Sequence, residues 1–310
     1  MSTIEQYRER MITWRRTATF EKLEPYLIVG PVMALVGLFI VVPIFQAIYS
    51  SFFAQSFLSP DEQTFIGLEN YVTIFNDPTL LGVIWNTVIW VVAGSILSVL
   101  LGFFVGWLLY EKVPYTSVAM GITLIPWVVP GIVGATVWRF MFSSNVGIIN
   151  ELGVQVGLLD SYVVVLGDPS TSLYGPLVAM VWRLFPLFAL LTLTGLQSVD
   201  ERLYEAAEID GATPFEKFVF ITLPQMKYVL AIGVLLMLIY VIRDFEMIWV
   251  MTTGGPGESS STLPIMAYRT TFQEYQIGLG SAISTLLFGA LAVFSWAYIY
   301  VYKQMEDDST

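Results

Sequence analysis

Four stretches of the chain, residues 25–60, 78–110, 113–138 and 275–302, contain no Asp, Glu, Lys or Arg. Each exceeds the ~20 residues with which a helix crosses a ~30 Å hydrocarbon core, where backbone polar groups must be satisfied within the segment itself. A chain of this kind folds in a bilayer. Charged residues form 13% of its 310 positions, against about 25% in soluble domains. Two further apolar runs, 173–197 and 228–252, are broken only by Arg183 and by Arg243, Asp244 and Glu246. The expectation is an all-α, multi-pass membrane protein with six spans near 26–50, 81–110, 117–142, 173–197, 228–252 and 278–302.

Orientation follows from Lys and Arg, which collect on the cytoplasmic side of short loops. With the amino terminus inside, the inner segments carry Arg8, Arg10, Arg15, Arg16, Lys22, Lys112, Arg202, Lys217, Lys227 and Lys303, whereas the outer loops carry only Arg269. Residues 1–25 then read as a retained cytoplasmic segment, 26–302 as the membrane domain with an inner loop at 198–227, and 303–310 as a cytoplasmic tail. Both termini are expected inside a plasma membrane, surrounded by lipid. The absence of Cys and His removes thiolate sites and the commonest general base, and a formal charge of −11 argues against nucleic acid. Prolines and glycines in the apolar runs, Pro126, Pro130 and Gly131 among them, read as ordinary bundle packing.

The inner loop 200–224 carries strong local signals. Glu, Leu and Ala favour a helix from Asp200 onward, and Gly211 suits the left-handed position that ends one. Thr213, Pro214 and Glu216 form a capping box that opens a second short helix. A helix–turn–helix knob results, with the small residues Ala206 and Ala207 and the carboxylate of Glu205 at its tip. From the residues alone it either inserts into a groove on another protein or lies on the membrane surface.

Glu205-Ala206-Ala207, Gly211, Ile221, Leu223 and Pro224 together resemble the coupling-loop motif of binding-protein-dependent ABC importer permeases. The stretches 65–71, Asn86-Thr87, 126–130, Trp138-Arg139, 182–186, 195–197 and Thr253-Gly254-Gly255-Pro256 resemble its carbohydrate branch. The Gly-Gly-Pro resembles the first, maltose-F-like or glycerol-phosphate-A-like, permease of a pair. The resemblance implies the type I importer (MetI-like) permease fold and import of a sugar, oligosaccharide or polyol. It also implies a second homologous permease, two ATPase subunits and an extracytoplasmic solute-binding protein as partners. Glu205, Ala206, Ala207, Asp210, Gly211, Leu223 and Pro224 would couple to the ATPase. With no Gly-x4-Gly-Lys-Ser/Thr in the chain, it is not expected to be an enzyme; ATP and Mg would sit on the partner ATPases. Import of another small polar solute, or a stand-alone secondary transporter or channel, is the alternative.

Charges inside spans demand an explanation. Arg139 is expected to reach the interface, and Arg183 to face the bundle interior. Asp244 and Glu246 are two apart, so on a regular helix they point to different faces and only one meets the pathway. The resemblance implies that Arg183, Leu184, Leu187, Tyr240, Val241 and Asp244 line the substrate. Arg183 and Asp244 form either a structural interhelical ion pair or a direct substrate contact.

Overall fold

The structure is a computed structural model and describes residues 29–112 and 115–307. The amino-terminal segment 1–25 and the last three residues of the tail lie outside the described residues. Among the described residues, five helices are long and apolar enough to cross a membrane, or six if one bent pair counts as a single span. The main helices are α1 (Val29–Ser50), α2 (Leu80–Lys112), α3 (Gly131–Met141), α4 (Tyr174–Gln197), α5 (Leu223–Arg243) and α6 (Ile277–Asp307).

Two apolar runs depart from the straight spans expected of them. The run 117–142 is bent by 89° between Thr116–Val128 and α3. Val129 takes ψ 129° because the ring of Pro130 disfavours helical geometry in the residue before it, and Pro130 itself takes ψ 134°. Pro130 thus breaks a span. The run 228–252 begins earlier than expected: Pro214–Lys217, a π-helical turn at Phe218–Thr222 and α5 follow without interruption. It also breaks late, at Asp244 with ψ 98°, before resuming as Glu246–Met251.

The centre is the contact of α2 with α4. Gly94, Ser98, Gly102 and Gly106 recur every fourth residue and so form one ridge of α2. A Cβ on Gly102 would lie 2.6 Å from the Phe185 carbonyl oxygen, and one on Gly106 would lie 2.5 Å from that of Ala189. Backbones touch there because nothing larger fits, the usual means of helix association where lipid is as apolar as leucine. Beside this ridge Trp90, Met180, Leu184, Phe188, Met237, Val241, Met247 and Ile248 form the largest buried cluster. By contrast α1 buries none of its residues and lies mainly along α6.

One end of the bundle is sealed by side chains that bind backbone. Asn70 donates to the carbonyls of Ser51 and Phe53 (2.8 and 3.0 Å), fixing a hairpin of Phe53–Ser56 and Ser59–Phe65. Asn86 donates to the carbonyls of Glu258, Ser259 and Ser261 at 3.0–3.1 Å, and Thr87 accepts from the Leu263 amide. Asn70, Asn86 and Thr87 all lie in the motif stretches outside the knob, and the bonds they make are structural.

Candidate functional site

Two places concentrate polar chemistry: the knob and the break at Asp244. In the knob, the Asp200 carboxylate accepts from the Arg202 amide at 3.0 Å and caps the helix Glu201–Ile209. Its far end closes with Gly211 at φ +77°, whose amide bonds the Glu208 carbonyl while Ala212 reaches back to Ala207. Thr213 and Glu216 exchange amide bonds in a capping box. Lys217 then pairs with Glu208 at 2.6 Å, and the Tyr204 hydroxyl meets Thr222 at 2.8 Å, locking the two helices together.

The carboxyls in these bonds lie below the usual carboxylate range. Glu208 is lowered by the hydrogen bond from Lys217 and then by its charge, and Glu216 by the Thr213 amide and hydroxyl. Glu205, Ala206, Asp210, Gly211 and Pro224 are exposed, whereas Ala207 and Leu223 are half-buried. The second helix is not the short element expected. It continues into α5, because the π-turn at Phe218–Thr222 widens the backbone just ahead of Pro224, whose ring would otherwise press on the carbonyl four residues earlier. Sequence reasoning missed Ile209, Phe215 and Phe220, which stand 88%, 73% and 75% exposed. Large apolar side chains within a charged loop were the available signal.

At the break, an Arg183 Nη2 donates to Asp244 Oδ2 at 2.6 Å, and Nη1 lies 3.7 Å from Glu246 Oε2. Side-chain exposure grades across the three, from 0% at Asp244 through 18% at Arg183 to 46% at Glu246. The other oxygen of Asp244 accepts from the Met247 amide at 3.2 Å, starting the helix Glu246–Met251. Trp90 Nε1 takes the Val241 carbonyl at 3.0 Å. Both carboxylates therefore approach Arg183. The helical-spacing argument that would separate them fails, since ψ 98° at Asp244 turns the chain between them.

The bend of the third run closes the same place. A Cβ on Gly131 would fall 1.7 Å from Glu246 Oε2 and 2.5 Å from Arg183 Nη1. Two helix breaks thus meet around three charges. Of the other expected substrate residues, Tyr240 is exposed, Leu187 is half-buried, and Leu184 and Val241 lie inside the core cluster. Arg139 donates to the Val250 carbonyl at 3.1 Å rather than only reaching outward, because the last carbonyls of a helix lack partners of their own.

A bundle of membrane-length helices, with charges gathered at paired helix breaks and a capped helix pair projecting from it, defines a multi-pass membrane transport protein. The chain belongs to the family of binding-protein-dependent transport system inner membrane components, whose signature matches residues 98–306. It is 34% identical to the trehalose/maltose transport system permease protein MalF of Thermococcus litoralis, across 91% of this chain and 94% of that one. It is 28% identical to the sulfoquinovosyl glycerol transport system permease protein SmoG of Agrobacterium fabrum, across 91% of each. Its fold is that of a chain in the crystal structure of a bacterial ABC transporter involved in alginate import, with a TM-score of 0.80, 18% identity and coverage of 94% and 99%. A chain of the MetNI methionine ABC transporter aligns more loosely, at a TM-score of 0.53, 18% identity and coverage of 73% and 95%.

Proposed function

We propose that this chain is the translocation subunit of an ATP-driven importer for a sugar, oligosaccharide or related polyol. It crosses the membrane six times with both termini in the cytoplasm, beside a second, homologous permease. Two separate ATPase subunits bind ATP and Mg, and an extracytoplasmic solute-binding protein delivers the substrate. The likeness to a trehalose/maltose permease over nine-tenths of the chain supports the substrate class.

The observation that carries the mechanism is the unbroken helical rod 214–243. At 1.5 Å per residue it is about 45 Å long, enough to join the knob to the charged break within the membrane. Glu205, Ala206, Ala207, Asp210 and Gly211 present the docking face to an ATPase, and Leu223 and Pro224 hold the π-turn through which the rod leaves the knob. Closure of the two ATPases draws paired knobs together, and each rod carries that motion to Asp244. There Arg183 and Asp244 meet substrate hydroxyls, with Leu187 and Tyr240 as exposed flanks and Leu184 and Val241 as the wall behind.

The test is reconstitution with the ATPases and binding protein, followed by uptake of trehalose and maltose. ATP-dependent, binding-protein-dependent uptake is expected. Uptake by the permease alone would overturn the coupling. Unchanged transport and substrate range in an assembled Arg183→Gln/Asp244→Asn variant would remove those two residues from the pathway.

A further inference from the structure

A cleft of about 670 Å3 lies between the knob and the knob-proximal end of α2, and nothing above uses it. One wall is aromatic: Trp107 of α2 and Phe218 of the rod stack with centroids 5.4 Å apart and planes at 13°. The rim is acidic, with Glu111, Glu201 and Glu208 against the single ammonium of Lys217, which Glu208 already holds. On the helix Glu201–Ile209, positions 201, 204 and 208 share the face turned to the cleft, and Leu203, Ala206 and Asp210 lie on the opposite face. Of the ATPase-docking residues proposed above, Ala206 and Asp210 therefore face away from the cleft, while Glu205 borders it. Carboxylates beside an aromatic face suit a guanidinium, which stacks on the ring while donating to the acids, and they repel lipid phosphate.

We propose that the amino-terminal segment of this same chain, at Trp14-Arg15-Arg16, docks in the cleft and ties the knob to α2. Four of the chain's nine arginines, Arg8, Arg10, Arg15 and Arg16, lie in that segment. The 28 residues ahead of Val29 reach about 90 Å when extended, so chain length places no limit on the contact. The docking rests on the topology proposed above, which puts this segment and the knob on one side of the membrane. Its consequence is regulatory: a strapped knob moves with α2, and a released one moves independently.

The natural chain contains no cysteine, so two engineered thiols have no background within it. Thr17→Cys with Pro214→Cys, in membranes holding the complete transporter, should form an intrachain disulfide on mild oxidation. Arg15→Glu/Arg16→Glu should lower its yield about fivefold, as should Glu111→Lys/Glu201→Lys, and combining both reversals should restore most of it. The arm substitutions leave residues 29–307 unaltered, which separates lost docking from lost folding. The proposal is overturned if neither reversal changes the yield, or if Pro214→Cys links to an ATPase subunit instead. It is equally overturned if both thiols react with an impermeant maleimide from the cytoplasmic side yet never with each other. Labelling from opposite sides would overturn the topology, and the docking with it.

Discussion

The knob and the charged break sit at opposite ends of one rod, yet they are held by different physics. The knob is made of local bonds. Asp200 to Arg202, Thr213 to Glu216 and the turn at Gly211 each span two to five residues, and the two capping bonds are solvent-exposed. At the break, Arg183 and Asp244 are 61 residues apart in sequence and meet only after α4 and α5 have packed. Exposed local bonds make the knob rigid without much stabilising the fold, whereas the buried pair makes the fold intolerant of losing either member. The same molecule thus separates a part that can be handled by a partner from a part that cannot be disturbed.

The largest expected effect breaks that contrast at its buried end. Asp244→Ala leaves the Arg183 guanidinium with only the more distant Glu246 and the Met247 amide uncapped, a loss of about 3 kcal/mol, the low end for breaking a buried pair. Denaturant or thermal unfolding in detergent should show it, with poor recovery of folded protein. The double variant Arg183→Met/Asp244→Leu should regain most of that stability, because an apolar pair of similar size needs no desolvated charge. If it regains stability and transport together, the pair is structural; stability without transport assigns it to the pathway. Failure of the double variant to regain stability would mean that the capping of Met247 or a contact with Glu246 matters more than the pair.

Next in size is Gly131→Ala, which places a methyl group where the Glu246 carboxylate and Arg183 now sit. Overpacking of about 1–3 kcal/mol is expected, with Glu246 displaced from Arg183. Glu246→Ala in the Gly131→Ala background should relieve it. If the single substitution is neutral, the two helix breaks are less closely joined than the structure draws them.

These two regions also differ in how far the sequence reveals them. Caps and turns are written in neighbouring residues, so Asp200, Gly211, Thr213 and Glu216 announce the knob before any packing is known. The rod was hidden because the inner loop reads as two short helices that end before the span near 228; the π-turn that lets one helix run on through Pro224 is a tertiary solution. The bend at Pro130 did carry a signal in its proline, but in membrane helices proline is common enough to pass as ordinary packing. At Asp244 periodicity misled outright. Two carboxylates two positions apart diverge on a helix, and only the break, fixed by Trp90 and Arg183 from other helices, brings both to one cation.

Gly211→Val tests the exposed end. No atom would meet its Cβ within 4 Å, so the cost is conformational, about 1–2 kcal/mol for a side chain held at φ +77°. The spans should insert and unfold as before, while substrate-stimulated ATP hydrolysis falls sharply in the reconstituted transporter. Unimpaired stimulation would show that the turn's shape is not what the ATPase engages.

The smallest effect is a dependence on acid confined to the knob. Glu208 and Glu216 titrate below their unfolded values because Lys217 and the Thr213 amide and hydroxyl hold their charged forms. A carboxyl with a depressed folded pKa contributes cohesion above its unfolded value, near 4.3, and loses it as pH falls through the folded value. The knob should therefore keep one geometry from pH 7 to about pH 5 and loosen below about pH 4. Spin labels on Glu205→Cys and Phe215→Cys, one on each helix, would report this as a narrow distance distribution at pH 7 and 5 that broadens as acid protonates the two carboxyls. Lys217→Met should broaden it at every pH, since Glu208 then has no cation to hold. If the distribution stays narrow once both carboxyls are protonated, the turn at Gly211 and the Tyr204 to Thr222 contact hold the knob without these carboxylates. Its rigidity would then rest on backbone geometry and a neutral hydrogen bond, which binding to a charged partner surface would not disturb.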